Sequence, residues 1–267
     1  GGPFVNPGLG IVAKTGVVDL MEDYTFEGGM RYSVDGDNTE YFFSFTTRKK
    51  LIDKKLTFQR LSQRQDASVN LIKNIVQKVS LQLKYPFSEV AALRGTFSVR
   101  QDERVTLNVN DAALEVPNVM SYMTGAKLEF IFDNTRNTGL NLYNGTRYKI
   151  FAEYYQELNE ANSDFVVLGL DYRTYIKIHR DIIWANRFSA STSLGSRKLV
   201  YYMGSVDDWI VLNGEQFDYS QNIDNNQGYY FQTIATPMRG FIQNVRNGNS
   251  FALFNSEIRW PIFKYFS

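Results

Sequence analysis

The residues whose types suggest a defined chemical role lie near the end of the chain. Arg239-Gly240-Phe241 is followed, after a polar spacer, by a strand-like segment that carries Glu257 and Arg259 on one face. An arginine and a carboxylate form strong charge-assisted hydrogen bonds, and glycine allows backbone angles that other residues avoid. Arg239 is therefore either a group that binds a buried carboxylate or an ordinary arginine of an exposed loop. Glu257 and Arg259 can equally be a simple ion pair.

Catalytic chemistry has little support in this sequence. His179 is the single histidine, and its position beside Arg180-Asp181 indicates a solvated turn residue. It could serve a Ser/His site of the phospholipase kind, but no matching nucleophile stands out among the serines. Cysteines are absent, which excludes disulfides and cysteine-based metal sites. The loop segments 207–208 and 224–226 could bind calcium through oxygen atoms, although polar loops are rich in such residues anyway. We expect no enzymatic activity and no cofactor.

Composition limits the class of protein. The 267 residues are 43% hydrophobic and 15% aromatic, and the formal net charge of +1 gives no indication of nucleic-acid binding. No apolar run approaches the roughly eighteen residues that indicate a transmembrane helix. A membrane-spanning β-strand needs only about 9–11 residues with every second one apolar. The composition therefore leaves open a membrane protein that is built from strands.

Hydrophobic periodicity predicts about eleven β-strands and no amphipathic helix. Successive side chains of a strand point to opposite faces of the sheet, and the clearest example is 165–179, where Leu168 and Leu170 oppose Gly169 and Asp171. Short and long connections tend to alternate, and 198–248 is predicted to be one long surface loop. The predicted strands are residues 11–21, 25–34, 41–46, 56–63, 78–85, 93–100, 126–133, 147–157, 165–179, 184–194 and 251–263.

Two kinds of barrel have strands with one apolar and one polar face. A soluble barrel hides the apolar face, whereas a membrane barrel turns it toward lipid and lines a wet lumen with the polar face. The membrane barrel is favoured by aromatic residues near strand ends, and by the loop 198–248, which greatly exceeds the roughly 2–5 residues of soluble hairpins. It is also favoured by charges of both signs on the polar face, namely Lys127, Glu129, Asp133, Arg147, Lys149, Glu153, Asp171, Arg173 and Lys177.

The predicted fold class is thus all-β, an antiparallel transmembrane β-barrel. Bacterial single-chain barrels generally have an even number of strands. A terminal strand left unpaired in lipid is costly, because its backbone groups have no water to bind. The odd strand count therefore predicts that residues 1–267 form a single barrel domain that is incomplete at one or both ends.

The segment 239–262 resembles a family signature. Arg239-Gly240-Phe241 on a long loop, followed by Asn255-Ser256-Glu257-Ile258-Arg259-Trp260-Pro261-Ile262, resembles the BamA/TamA superfamily of outer-membrane barrels. In that family an Arg-Gly-aromatic tip of the sixth surface loop folds back into the lumen, and the next strand carries a Glu-x-Arg-aromatic-Pro pattern. Asp133-Asn134-Thr135-Arg136 with Gly145 similarly resembles the family's periplasmic turn Asp-x-x-Arg…Gly.

The resemblance implies roles for these residues. The loop 198–248 would fold into the lumen, where Arg239 would bind Glu257 as part of a lumen-loop lock. Asp133, Arg136 and Gly145 would form the periplasmic turn. The site residues that the resemblance implies are Arg239, Gly240, Phe241, Glu257 and Arg259 for the lock, and Asp133, Arg136 and Gly145 for the turn.

On the family template of about sixteen strands, residues 11–264 correspond to about the second through the twelfth strand. Leu20–Tyr24, Gly28–Arg31 and Glu40–Phe43 are similar to Bacteroidota members in which such a barrel follows a TolB-like propeller. The chain departs from the family pattern because it contains no POTRA domain, no propeller, and no thirteenth strand with the acidic partner of the loop arginine.

The resemblance also implies a function and a location. We expect a protein of the Gram-negative outer membrane that inserts or translocates other proteins, with no enzymatic activity. The expected partners are the lipid bilayer, client outer-membrane or secreted proteins and accessory lipoproteins, but not nucleic acid. Two alternatives remain: a passive porin or structural surface barrel within a larger outer-membrane complex, and a barrel phospholipase that depends on His179.

Overall fold

The described part of the protein consists of β-strands joined by turns and loops. The computed structural model describes residues 10–33, 38–66, 71–107, 117–159, 163–204, 220–221, 229–238, 241–242 and 244–261. Over these ranges, no helix is long and apolar enough to cross a membrane. The strands are β1 (Gly10–Val18), β2 (Tyr24–Ser33), β3 (Thr39–Thr47), β4 (Asp53–Asp66), β5 (Leu71–Pro86), β6 (Ala91–Leu107), β7 (Val119–Asp133), β8 (Arg136–Gly139), β9 (Leu142–Glu157), β10 (Asp164–His179), β11 (Ile182–Gly195), β12 (Lys198–Gly204), β13 (Tyr229–Pro237), β14 (Arg246–Gly248) and β15 (Ser250–Arg259).

Most strands belong to one large sheet. Its hydrogen-bonded order is β1-β2-β3-β4-β5-β6-β7-β9-β10-β11-β15, and the short β8 pairs with β9. Apart from the short β8, which is off this path, neighbours are consecutive in sequence up to β11, as expected for a meander of antiparallel strands. The prediction of an all-β antiparallel sheet with about eleven main strands is confirmed.

The chain divides by its internal contacts into two compact units. Unit 1 comprises residues 1–86, 94–127 and 155–161, and unit 2 comprises residues 87–93, 128–154 and 162–267. In unit 1 the pairs β1–β2, β2–β3, β3–β4 and β4–β5 are antiparallel. In unit 2 the pairs β8–β9, β10–β11 and β11–β15 are antiparallel.

Unit 1 exposes its apolar side chains and buries polar ones. Glu40 is 1% exposed, whereas Phe43 on the opposite side of the same strand is 51% exposed. We call the two sides of each strand the apolar face and the polar face. The apolar face of unit 1 includes Phe26, Met30, Phe43, Leu56 and Phe97, and its polar face includes Glu27, Arg31, Glu40, Ser44 and Ser98.

Unit 2 has the same arrangement. Asp171 is 9% exposed, whereas Trp184 is 42% exposed. Soluble proteins bury apolar side chains and rarely bury charged ones, so this reversal is the pattern of a sheet whose apolar face meets lipid. The apolar face of unit 2 includes Leu168, Tyr172, Ile176, Trp184, Phe188, Phe254 and Ile258, and its polar face includes Arg147, Asp171, Arg173, Tyr175, Arg187, Ser191, Glu257 and Arg259.

The segment 198–248 contains strands that the sequence did not predict. β12 pairs in parallel with β13 and antiparallel with β14, so the described part of this segment is a three-stranded sheet rather than a plain loop. Four successive residues of β12, Leu199, Val200, Tyr201 and Tyr202, are all buried. Because both sides of β12 are covered, its sequence lacks the alternation that marks the other strands.

Candidate functional site

The polar face of unit 2 gathers charged and aromatic groups from four strands. The β10–β11 register sets Arg173 directly opposite Arg187, and the β11–β15 register sets Arg187 opposite Asn255 and Ala185 opposite Glu257. Side chains directly opposite each other in an antiparallel pair lie close together. The sheet register therefore brings residues that are distant in sequence into one cluster.

Asp171 holds two arginines at the centre of this cluster. Arg173 donates from Nε to Oδ1 of Asp171 at 2.8 Å and from Nη2 to Oδ2 at 2.9 Å, while Arg187 donates from Nη2 to Oδ2 at 2.6 Å. The first pair is bidentate, a strong arrangement for a guanidinium and a carboxylate. Like charges directly across a strand pair repel each other. The shared carboxylate is what allows Arg173 and Arg187 to face one another.

Tyr175 is flanked by two further arginines. The guanidinium carbon of Arg147 lies 5.8 Å from the centre of the Tyr175 ring, and that of Arg259 lies 5.7 Å from it. Arg147 also lies 6.0 Å from the ring centre of Tyr143, whose ring is 5.5 Å from that of Tyr175. Guanidinium groups within about 6 Å of a ring centre are attracted by its π-electrons. The aromatic pair thus holds two cations on the polar face.

The predicted residues Glu257 and Arg259 bind each other. Arg259 donates to Oε2 of Glu257 from Nη2 at 2.7 Å and from Nε at 3.0 Å. Its remaining Nη1 donates to Oδ1 of Asn141 at 3.2 Å, across 118 positions of sequence. Arg259 therefore connects the last described strand to the turn between β8 and β9. The interpretation of Glu257 and Arg259 as an ion pair of the polar face agrees with this geometry.

The tip of the predicted lumen-loop lock is only partly within the described chain. Arg239 and Gly240 lie outside the described residues, so their role and the binding of Arg239 to Glu257 remain predictions. Phe241 is described, is 50% exposed, and donates its backbone N–H to the carbonyl of Met238 at 3.3 Å. The predicted packing of Phe241 against the barrel wall also remains a prediction.

The predicted periplasmic turn has a well-defined geometry. Asp133 accepts hydrogen bonds from the backbone N–H of Thr135 at 3.0 Å and from its hydroxyl at 2.5 Å. Gly145 has a φ of +117°, and a Cβ at this position would lie 2.8 Å from the carbonyl oxygen of Asn134. Glycine is therefore required here for both conformation and space. Arg136 is exposed in β8, opposite Asn144.

The start of the segment 198–248 packs against the polar face. The hydroxyl of Tyr201 lies 2.9 Å from that of Ser191, and the ring of Tyr201 meets that of Phe251 edge-on at 5.0 Å. The backbone N–H of Leu199 donates to the hydroxyl of Ser193 at 3.0 Å. Burial raises the pKa of Tyr202 to about 12, so this phenol remains neutral at physiological pH.

The described residues contain no candidate metal-binding cluster. His179 lies at the exposed end of β10, where the register with β11 shifts between Lys177 and His179. Throughout the described ranges, no three histidine, cysteine, aspartate or glutamate side chains are grouped so that they could hold a metal ion. The loop segments 207–208 and 224–226, considered above for calcium, lie outside the described residues.

Sequence reasoning missed the shared carboxylate and the aromatic pair. Asp171 and Arg173 were recognised only as members of the polar face, and Arg147 was not connected with Tyr143 or Tyr175. A signal was present, because Asp171-x-Arg173 has the same two-residue spacing as Glu257-x-Arg259, and both pairs form hydrogen bonds. Residues two apart share one face of a strand. The contribution of Arg187 depends on strand register and has no comparable signal in sequence.

Comparisons with known proteins identify the fold. No protein-family model matches the chain, and no curated protein matches it. Among solved structures, the crystal structure of BamA from Haemophilus ducreyi lacking POTRA domains 1–3 matches with a TM-score of 0.52 and 13% identity. The match covers 69% of this chain and 38% of that chain. The fold of this protein is therefore that of a BamA-like transmembrane β-barrel, as the sequence predicted.

Proposed function

We propose that this chain belongs to a bacterial outer-membrane β-barrel that inserts or translocates other proteins at the outer membrane. The observation that carries the proposal is the reversed burial of the sheet, with exposed apolar faces and buried charged groups in both units. Lipid stabilises such a sheet, whereas water does not. The fold similarity to BamA supports the choice of protein insertion among the functions of membrane barrels.

A covered polar face favours this proposal over a passive porin. A water-filled channel needs polar side chains in contact with bulk water. Here β12 lies over part of the polar face through Tyr201, Ser191 and Ser193. We propose no enzymatic role, and His179, the residue on which the phospholipase alternative depends, is exposed at the end of β10.

The function is tested by reconstitution. The full-length protein that contains this chain is placed in liposomes, and a urea-denatured outer-membrane barrel protein is added as the client. We expect the client to fold into the liposomes faster than into protein-free liposomes, measured by its heat-modifiable gel mobility. Equal folding rates in both preparations would contradict the insertion role while leaving the fold unaffected.

The porin alternative has its own measurement. Planar bilayers that contain the protein should show little or flickering conductance if the polar face remains covered. A steady open conductance would favour the passive pore. Hydrolysis of a chromogenic ester that is lost in His179→Ala would revive the phospholipase alternative.

Within this proposal, a finer assignment rests on sequence similarity alone. Leu20–Tyr24, Gly28–Arg31 and Glu40–Phe43 are similar to Bacteroidota barrels that follow a TolB-like propeller. The complete open reading frame tests it directly, because a propeller encoded upstream is the expected result. An upstream region without a propeller would rule out this subtype.

A further inference from the structure

Three arginines occupy one row across the polar face of unit 2. Arg173 and Arg187 are directly opposite in the β10–β11 register. On the other side of β10, the hydroxyls of Thr146 and Thr174 are 3.4 Å apart and the rings of Tyr148 and Tyr172 are 6.3 Å apart. Thr146 thus faces Thr174, and Tyr148 faces Tyr172. Because β9 and β10 run antiparallel, Arg147, which lies between the two β9 residues of these pairs, faces Arg173. We call Arg147, Arg173 and Arg187 the arginine row; with strands about 4.8 Å apart it spans roughly 10 Å.

The polar face around this row has more basic than acidic groups. Asp171 is the carboxylate that binds within the row, and it is shared by Arg173 and Arg187. Glu257 is bound by Arg259. Rings of arginine and lysine side chains attract anions in membrane pores. Along β7 from Leu128, β9 up to Tyr154, β10, β11 and β15, the basic side chains on this face are Arg147, Lys149, Arg173, Lys177, Arg187 and Arg259, and the acidic ones are Glu129, Asp133, Glu153, Asp171 and Glu257.

Arg147 contributes the donors that are not used within the described chain. It contacts the rings of Tyr143 and Tyr175, but no described carboxylate binds it. A guanidinium over an aromatic ring still presents N–H groups at its edge, where a carboxylate or phosphate can accept two of them. The two tyrosines therefore fix the position of Arg147 without consuming its hydrogen bonds.

Arg187 offers a second unused donor in the same row. Its Nε is buried and has no hydrogen-bond partner, although its Nη2 donates to Asp171. A buried donor without a partner is uncommon in native proteins and calls for an explanation. Oδ1 of Asn255, directly opposite Arg187, is also buried and lacks a partner. The Arg187 end of the row therefore has unsatisfied polar groups, and the Arg147 end has donors that bind no described carboxylate.

We infer that the arginine row is an oxyanion-binding site whose principal contact is Arg147. Its ligand is a carboxylate or phosphate group, supplied either by an acidic polypeptide segment or by a free anion. Binding would complete the hydrogen bonds of Arg147 and reduce the surplus of positive charge. The inference does not depend on the proposed insertion function, because a barrel of any function could carry such a site.

Binding of two probes tests the inference. Isothermal titration calorimetry with the full-length protein in detergent uses N-acetylated tetraglutamate and inorganic phosphate as separate ligands. We expect tetraglutamate to bind, with an affinity that falls as salt is raised. Arg147→Gln should weaken binding by roughly tenfold or more, because it removes a charge-assisted bidentate contact. Arg147→Lys should retain part of the affinity, because it keeps the charge and loses the planar fork.

A matched control separates a site from a general charge effect. Arg180→Gln removes the same charge from the exposed β10–β11 turn, so its affinity should equal that of the unaltered protein. Binding of tetraglutamate alone would assign the site to a polypeptide carboxylate, and binding of both probes would assign it to oxyanions in general. Absence of binding, or equal weakening by Arg147→Gln and Arg180→Gln, would overturn the inference. If Arg147→Gln does not fold, Arg147→Lys carries the same comparison.

Discussion

The two units bury charge on their polar faces in different ways. In unit 1, Arg31 and Glu40 form a pair at 3.4 Å, and their side chains are only 9% and 2% exposed. In unit 2, one buried carboxylate, Asp171, is shared by Arg173 and Arg187 at 2.6 to 2.9 Å. Arg31 in unit 1 therefore faces a carboxylate in a simple pair, whereas in unit 2 two arginines share the single carboxylate of Asp171.

The basic groups of the two units also differ in their exposure to water. Glu27 in unit 1 also lies near two bases, Lys14 and Lys55, each at 3.7 Å. Those lysines are 51% and 36% exposed, so water solvates the surplus charge there. Arg187 is less exposed, and its Nε has no partner at all. Two arginines that share one buried carboxylate carry an excess positive charge, which destabilises the fold where water cannot reach it. In unit 2 an anionic ligand or partner can neutralise that charge.

Loss of the shared carboxylate should have the largest effect. Asp171→Asn leaves Arg173 and Arg187 opposite each other with no negative charge between them, and it turns an amide donor toward guanidinium donors. We expect the free energy of unfolding to fall by about 3–5 kcal/mol, the range for breaking a buried ion pair. Urea unfolding in lipid vesicles, followed by tryptophan fluorescence, measures this change.

The control for Asp171→Asn is another carboxylate-to-amide change in the same unit. Glu89→Gln lies in the exposed turn between β5 and β6, and we expect it to change stability by about 0.5 kcal/mol or less. Equal stabilities of Asp171→Asn and Glu89→Gln would mean that the shared carboxylate contributes nothing to the fold. That outcome would remove the distinction between the two units.

The one-to-one pair of unit 1 should be less sensitive. Glu40→Gln removes the negative charge beside Arg31, and the amide oxygen of glutamine can still accept the hydrogen bond of Arg31. We therefore expect a loss of about 2–3 kcal/mol, below that of Asp171→Asn. The same urea titration measures it. A double variant, Arg31→Gln with Glu40→Gln, should recover part of the loss, and a larger loss in the double variant would show that the pair is not the cause.

The two units also show what the sequence could predict. The alternation of residues 165–179 located β10 almost to its ends, because one face of the strand is apolar and the other polar. β5 begins at Leu71 rather than near residue 78. Its first four residues, Leu71-Ile72-Lys73-Asn74, do not alternate clearly between apolar and polar side chains. β12 was missed because its central residues are buried on both sides. Periodicity detects a strand only when its two faces meet different surroundings.

Only those contacts of the candidate site that join residues close together in the sequence could be predicted. Glu257 and Arg259 lie two residues apart, so a shared face already places them together. The contact of Arg187 with Asp171 and the position of Arg147 beside Tyr175 depend on the register between strands. The register between strands is set by turns and by the packing of the whole sheet, so it cannot be predicted from the sequence of a single segment. The tip Arg239-Gly240 was predicted from family resemblance and lies outside the described residues.

Register also produces a packing contact that can be tested. A Cβ added to Gly169 would lie 2.2 Å from Cζ of Phe151, whose ring covers this glycine. Gly169→Ala should therefore cost about 1–3 kcal/mol of unfolding free energy, because the ring must move away. In unit 1, Gly95 has nothing within 4 Å of an added Cβ. Gly95→Ala should thus change stability by about 0.5 kcal/mol or less, measured by the same titration.

A compensating variant distinguishes crowding from other effects at Gly169. Replacing the ring by a smaller side chain, in Gly169→Ala with Phe151→Leu, should lose less stability than the sum of the two single variants. Such non-additivity is expected for side chains in direct contact. Strict additivity would show that the ring of Phe151 is not what excludes a methyl group from this position.

The smallest expected effect concerns the hydroxyl contact that joins β12 to the polar face of unit 2. The hydroxyl of Ser191 donates to the carbonyl of Leu168 at 2.9 Å, so it is the hydroxyl of Tyr201 that donates to Ser191. Tyr201→Phe leaves the ring in place and removes that bond, at a cost of about 1 kcal/mol. Local opening of β12 should become about fivefold more frequent, which hydrogen–deuterium exchange of residues 198–204 measures.

Ser191→Ala should have a similar effect, and the double variant should add little, because both single changes remove the same bond. An unchanged exchange rate in Tyr201→Phe would mean that β12 is held on the polar face of unit 2 by its apolar contacts alone.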